Sequence, residues 1–510
     1  MRFNNKYLRN YGFVFFITTI FIFSNFAFSE NKAVINTVAS DYSSGAVSVV
    51  STTPPRTPIN NIIPAISDTT ISGYGKYFFR MIRGSVEVIE KYSIDSPAIL
   101  IWDYSTLDSN RNPSNIYSIV FASYNKAYMM RFNSSIVWIL DLSGNDYQPS
   151  LSNLKIGELD LSSYADQDGS CEPVCGVIVG DKIFIGLQSI DRSEGWENYV
   201  YNDSYLAVFD INTDFEIDTK KSTKKGILLP IKNISSIQYV ASTNKIYAQG
   251  IGRYPSSSQG ALYDGGIISI DPINYDIKMI VDDGNDDNHP YGNITGFTVI
   301  SPQKGYFISY AGWGDNSCYI FNPENGMVAG VVPGLEHINI SSMEGGAYLE
   351  QNKLLWISNS SDARIEILDT STDTIVDSVS TGLNPQKIIF CTPDMPGTIS
   401  GKILSENSPV QNARVYLTNN NIVAWTDENG EFLLRNVEAG IHEINADANN
   451  YLPVKIDSIA VKSSENTLIS DIIIKPMSND NIMGDSNHDG IVDLKDPIFS
   501  LQILTNTISK

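Results

Sequence analysis

Three observations predict a mainly β protein built from several units. A lysine-marked repeat runs through the first two-thirds of the chain, an alternating apolar pattern follows it, and a spaced set of acidic residues lies close to the C-terminus. At 510 residues the chain is too long for one ordinary hydrophobic core, so at least two are expected. Hydrophobic residues make up 42% and charged residues 18%, a globular balance that excludes general disorder. The net charge of -22 excludes a nucleic-acid partner, which requires a basic stripe to displace counterions. Spare carboxylates suit hard cations instead.

Residues 1–29 read as an export signal. Arg2, Lys6 and Arg9 precede an apolar run from Tyr11 to Phe23, and Ala27-Phe28-Ser29 supplies a small-x-small cleavage site before Glu30. The rival reading, a membrane anchor, needs roughly 20 uninterrupted apolar residues, more than this run offers. After cleavage no membrane span is expected, and the protein should be secreted, extracellular or held at the cell surface. Such a location permits disulfides. Cys171 and Cys175 could close a small loop or remain buried thiols, and with no second Cys or His pair nearby they make a poor zinc site.

The repeat recurs about every 50 to 60 residues. A turn carrying lysine leads into an aromatic or apolar strand at Lys76, Lys126, Lys182, Lys245, Lys304 and Lys353. A second apolar strand then ends in Asp or Asn, at Asp103, Asp141, Asp210, Asp271, Asn322 and Asp369. Strands of four to seven residues rich in Ile, Val, Tyr and Phe form small antiparallel sheets that cannot cover both faces alone. Stacked around an axis they make a β-propeller. A further unit can be assembled from both ends of the region. The segment ending at Phe390 reads as a lone opening strand, and the stretch from Ala33 to Ser51 supplies two more. Joining them closes the ring, so about seven blades are expected over residues 30–394. The stretches NKAYMMRFNSSIVWILDLSG, IGELDLSSYADQDGS and GVIVGDKIFIGLQSID resemble the secreted bacterial propellers of the YVTN type. That resemblance implies a fold and no particular ligand.

Pro396-Gly397 marks a boundary. Beyond it Ala413, Val415 and Leu417 alternate on one strand, Phe432 and Leu434 on another, and Ile444 and Ala446 on a third, with a turn at Asp427-Glu428-Asn429-Gly430. This small β-sandwich, residues 395–478, resembles the carboxypeptidase regulatory-like domain. Gly401, Pro409-Val410, Ala413, Val415, Thr426-Asp427, Gly430, Phe432, Val437, Gly440 and Tyr451 stand in that family's order. A spacer is the expected role, with Trp425 and Tyr416 read as core or rim.

The sharpest chemistry lies in residues 479–510, where MGDSNHDGIVDLKDPIFSLQIL carries a calcium loop. Asp485, Asn487 and Asp489 offer side-chain oxygens at positions 1, 3 and 5, and Ile491 a backbone carbonyl at 7. Asp493 would act through water at 9, and Asp496 would close the sphere at 12 from the first turn of a helix. Gly490 permits the sharp turn, and Leu494, Ile498, Leu501 and Leu504 form an apolar stripe on the helix. Asp in place of Glu at position 12, and no helix entering the loop, resemble the dockerin type I repeat. That resemblance implies a Ca2+ cofactor and docking to a cohesin-like protein or to a second dockerin-like copy through the C-terminal helix. Complete dockerins carry two repeats, and one is found here.

No GxSxG elbow, HExxH helix or phosphate loop occurs. Of the four histidines, His442 lies in the sandwich and His488 in the calcium loop, leaving His289 and His337 for the propeller, where a spatial Ser-His-Asp triad stays open. Two acidic stretches, Asp166 to Gly169 and Asp282 to Asn288, could each hold a second cation or be solvated loops. The expected function is non-catalytic binding or scaffolding, with an unknown ligand on the propeller and a calcium-dependent docking tag. Its setting would be an extracellular polysaccharide-degrading or carbohydrate-binding assembly. The alternative is a propeller glycoside hydrolase or lyase acting in polysaccharide catabolism, marked by paired carboxylates about 5 to 9.5 Å apart.

Overall fold

The computed structural model describes residues 30–504 apart from 85, 109–111, 145–153, 256–258, 341–345, 350–351, 419–420, 478–485, 487–491 and 493. The export-signal segment 1–29 lies outside the described residues. No helix among the described residues is long and apolar enough to cross a membrane.

Among the described residues, seven four-stranded antiparallel sheets follow one another between Lys32 and Cys391. Their first strands are Thr69–Tyr74, Ile116–Ser123, Pro173–Val179, Ile234–Val240, Asn293–Ser301, Gly346–Leu349 and Asn384–Cys391. Each of these packs beside the next, and the last returns to the first. Short sheets arranged radially in this way form a β-propeller, in which every sheet covers its neighbour's apolar face. The ring is closed by the two ends of the region. Asn384–Cys391 runs antiparallel to Lys32–Val38, with Ala33 opposite Phe390 and Ile35 opposite Ile388, and Gly45–Ser51 and Pro58–Ala65 complete that sheet.

The lysine-marked segments prove to be second strands, as in Lys126–Arg131, Lys182–Leu187 and Lys304–Gly312, with a first strand before each. The opening strands carry no repeated residue, because small and polar side chains serve the crowded axis. Ser118 Oγ donates to Val174 O at 2.8 Å, and the Gln238 amide both donates to Val299 O and accepts from Val299 N at 2.9 Å, stitching adjacent first strands. A second difference concerns the first unit. Asp103 lies on the outermost strand Trp102–Ser105, and the third strand there is Val88–Ser93.

At three of the six positions the repeated lysine bolts one sheet to the next, whereas Lys245 pairs with Asp271 of its own sheet at 2.8 Å. Lys126 Nζ lies 2.7 Å from both Asp214 Oδ2 and Ile211 O of the following sheet, and Tyr128 donates to the other oxygen of Asp214 at 3.0 Å. Lys304 repeats the arrangement with Asp373 Oδ2 at 2.8 Å and Thr370 O at 2.6 Å, and Tyr306 completes it. Lys182 instead reaches the Tyr275 hydroxyl at 2.9 Å. Burial and the Asp373 carboxylate hold the Tyr306 phenol well above its ordinary value, so it remains a donor.

The residues after Cys391 form two facing sheets. One is built on Gly397–Ser405 and Glu431–Val437, the other on Arg414–Leu417, Ile422–Trp425, Gly440–Asp447 and Val454–Val461. Ala413, Val415, Leu417, Phe432, Leu434, Ile444 and Ala446 are all buried in one core. Gly430, at φ +73°, permits the Asp427 turn, where an added Cβ would meet Ile403 O at 2.6 Å.

This sandwich is no free spacer. It sits on the propeller face that carries the turns between first and second strands. Val423 is buried, and Tyr416 and Trp425 packed, against the propeller cluster of Ile246, Ile268 and Ile270. Ala241 N donates to Asn421 Oδ1 at 2.9 Å, Asn436 Nδ2 donates to Phe121 O at 2.9 Å, and Arg435 meets Asp181 at 2.6 Å. The last first strand ends on this same face, so the chain leaves the ring where the sandwich docks.

Two outcomes are expected. Asp373→Ala, which strips partners from both Lys304 and Tyr306, should cost about 2 kcal/mol in urea unfolding; an unchanged midpoint would remove the bolt. Gly180→Val would place a branched side chain at φ +60°, with its Cβ 2.8 Å from the Trp425 ring. Limited proteolysis should then cut residues 392–396 faster than in the wild type, and an identical cleavage pattern would count against a docked sandwich.

Candidate functional site

Of the predicted calcium ligands, Asp485, Asn487, Asp489, Ile491 and Asp493 lie outside the described residues. Asp496 lies within them, in the first turn of the helix Lys495–Leu504. Pro497 follows it early enough that its missing N–H costs the helix nothing. Asp496 is 2% exposed, and its backbone carbonyl accepts from the Ser486 hydroxyl. The apolar residues behave in the opposite way. Leu494 is 81% exposed, and Ile498 and Leu501 are exposed as well. An acid turned inward and aliphatic side chains turned outward invert the usual pattern of a surface helix.

The propeller face away from the sandwich gathers the other polar groups, because both the loops entering first strands and those joining second to third strands emerge there. Asp166 and Asp168 come from one such loop and Asp191 from another, with carboxylate oxygens all within 4.8 Å of one another. Asp168 Oδ1 accepts from Ser170 N at 2.9 Å, and its Oδ2 accepts from Arg192 Nε at 3.0 Å. Arg192 also donates to Glu172 Oε1 at 2.9 Å. Glu172 is fully buried, and burial outweighs its partners, pushing its carboxyl up to about 7. The cluster thus offers oxygens for a hard cation, with a guanidinium already supplying part of the positive charge. The stretch at Asp166 was visible in the sequence. Asp191 and Arg192 were missed because only the fold brings that loop across.

The second acidic stretch has one buried member. Asp283 is fully buried, its Oδ2 accepts from Gly265 N at 3.2 Å, and its Oδ1 has no hydrogen-bond partner. Burial, with Asp282 and Asp264 close by, pushes its carboxyl up to about 7. His289 stacks on Tyr263 with centroids 3.9 Å apart. His337 Nδ1 lies 2.9 Å from Asp315 Oδ1, and the Ser317 hydroxyl accepts from the His337 main chain rather than meeting its imidazole. All four cysteines are free thiols, and burial pushes Cys171 up to about 12.

Fold and sites together define a β-propeller capped by a small β-sandwich. Residues 398–474 match the family of the carboxypeptidase regulatory-like domain. No curated protein matches the sequence. Among solved structures, a putative 6-phosphogluconolactonase from Bacteroides fragilis is 12% identical with a TM-score of 0.47, covering 71% of this chain and 98% of its own. AztD from Citrobacter koseri is likewise 12% identical, with a TM-score of 0.41 over 71% of this chain and 98% of its own. A type II cohesin–X–dockerin complex from Acetivibrio cellulolyticus is 22% identical, with a TM-score of 0.16 over 21% of this chain and 72% of its own.

Asp283 generates a pH dependence. Its folded-state value of about 7 stands above the ordinary 3.8, so between these values the folded protein holds a proton that the unfolded chain has released. Its contribution to stability is therefore present at low pH and lost as pH rises through about 7. Asp283→Asn should flatten the fall in Tm between roughly pH 4 and 7; a slope equal to that of the wild type would refute the assignment.

Proposed function

We propose that this chain is an exported, non-catalytic binding or scaffold protein that attaches to a partner through a calcium-ordered C-terminal unit. In this reading residues 1–29 are removed, and residues 30–394 form a seven-bladed propeller of YVTN type that serves as the recognition platform. Residues 395–478 cap one face of it, and residues 479–510 form a single dockerin-like repeat. The observation that carries the reading is the inverted helix, with Asp496 buried and Leu494, Ile498 and Leu501 exposed. Asp496 is buried at position 12 of the ligand spacing, the position that closes a calcium sphere. The ligand spacing from Asp485 to Asp493 provides for a divalent ion against which Asp496 closes the sphere. The exposed aliphatic residues are then free for a cohesin-like protein or a second copy of the unit.

So short a loop and helix cannot support its own core, so ion binding and ordering are coupled. At free calcium a hundredfold above Kd the ion adds about 2.7 kcal/mol to the ordered state. Isothermal calorimetry on the full chain should show a calcium heat that Asp485→Ala combined with Asp489→Ala reduces by the share of one ion. A heat unchanged in the double variant would remove the metal step. A stoichiometry of one ion per chain would confine calcium to the tail, and more than one would bring in the propeller's acidic loops.

A further inference from the structure

The loop face of the propeller holds a second feature, separate from its acidic clusters. Between loops and strands of the fourth to seventh sheets lies a cavity of about 440 Å³, within the range of small-ligand sites, roughly 300–1,000 Å³. None of its lining residues is charged among those described. Two aromatic rings stand at its rim. Trp313, 80% exposed, occupies the turn between Lys304–Gly312 and Asp315–Phe321, and Tyr42 occupies the turn after Lys32–Val38. Their centroids are 6.5 Å apart and their planes 52° from parallel.

Below the rings the wall is built of neutral hydrogen-bonding groups. Asn316, Asn384 and Gln386 line it, each side-chain amide carrying both a donor and an acceptor. Thr295 lines it too, and this residue is an independent sign of a ligand. It is 3% exposed, and its hydroxyl has no hydrogen-bond partner. A buried hydroxyl left unmade is costly, and an incoming hydroxyl removes that cost.

We infer that this pocket binds a neutral saccharide. Flat aromatic faces pack on the C–H face of a sugar ring, and the amides and the Thr295 hydroxyl match its alcohols. The absence of charge in the described lining disfavours uronic acids, phosphates and ionised peptides. The inference rests on reading the propeller as a recognition platform and names the ligand class of that platform.

The test titrates the full chain with cellohexaose, xylohexaose, mannohexaose and a neutral high-mannose glycan released from glycoprotein. Tryptophan fluorescence and calorimetry are the readouts, each with calcium and with EDTA. At least one probe should bind saturably in both conditions, the linear oligosaccharides marking a polysaccharide source and the released glycan a glycoprotein. Trp313→Ala should weaken binding about tenfold, and Thr295→Val several-fold. Phe215→Ala, an exposed aromatic on the opposite face, should leave it unchanged. Lack of binding by every probe at millimolar concentration, or wild-type affinity in both pocket variants, would overturn the proposal. Saccharide binding that survives EDTA while calcium-dependent docking fails would strike the docking reading alone.

Discussion

Everything in this molecule depends on one ladder of backbone hydrogen bonds between Lys32–Val38 and Asn384–Cys391. Each sheet buries its apolar faces only against two neighbours, so a ring with one joint open would expose two edges and two greasy flanks. The joint brings together residues about 350 positions apart, and the entropy of that closure must be offset by contacts made all round the ring. Val34, Ile35 and Val47 are wholly buried, as a strand that seals a core requires. The Lys126–Asp214 and Lys304–Asp373 bolts share the load at other joints through half-buried charges.

Closure also decides the polarity of the molecule. Asn384–Cys391 ends on the face of the first turns, which delivers the chain to Gly397 a few residues later. The sandwich settles there, with Trp425 over Gly180 and Asn421 on the Ala241 amide. One mouth of the propeller is thereby given to the molecule's own second domain. The other keeps its longer loops, its acids and its aromatic rim. The two ends of the ring are thus set apart: the free loops point one way, and the chain continues from the other side.

Much of this was legible in one dimension. The lysine turns and the run of short Ile- and Tyr-rich strands carry a period that only stacked sheets explain, and the lone strand before Phe390 needs a partner that the stretch from Ala33 supplies. The alternation at Ala413, Val415 and Leu417 placed the sandwich core. The first strands went unmarked, and the lysine-led strand was taken to open each unit, because the axis calls for Ser118 or Gln238 rather than an aliphatic repeat. Trp425 and Tyr416 gave no warning that they would meet another domain. The loop-face pocket was invisible because Tyr42, Thr295, Trp313 and Gln386 converge only after closure. The tail was the reverse: the expected ligand spacing was plain in the sequence, and of those six positions Asp496 alone lies among the described residues.

The antiparallel seam between the two ends has a mechanical corollary. A load drawn through the tail enters the propeller at Cys391, along the axis of the strand that faces Lys32–Val38. Against a counterforce applied at the far loop face, it meets all the rungs together, as shear, instead of peeling them open in succession.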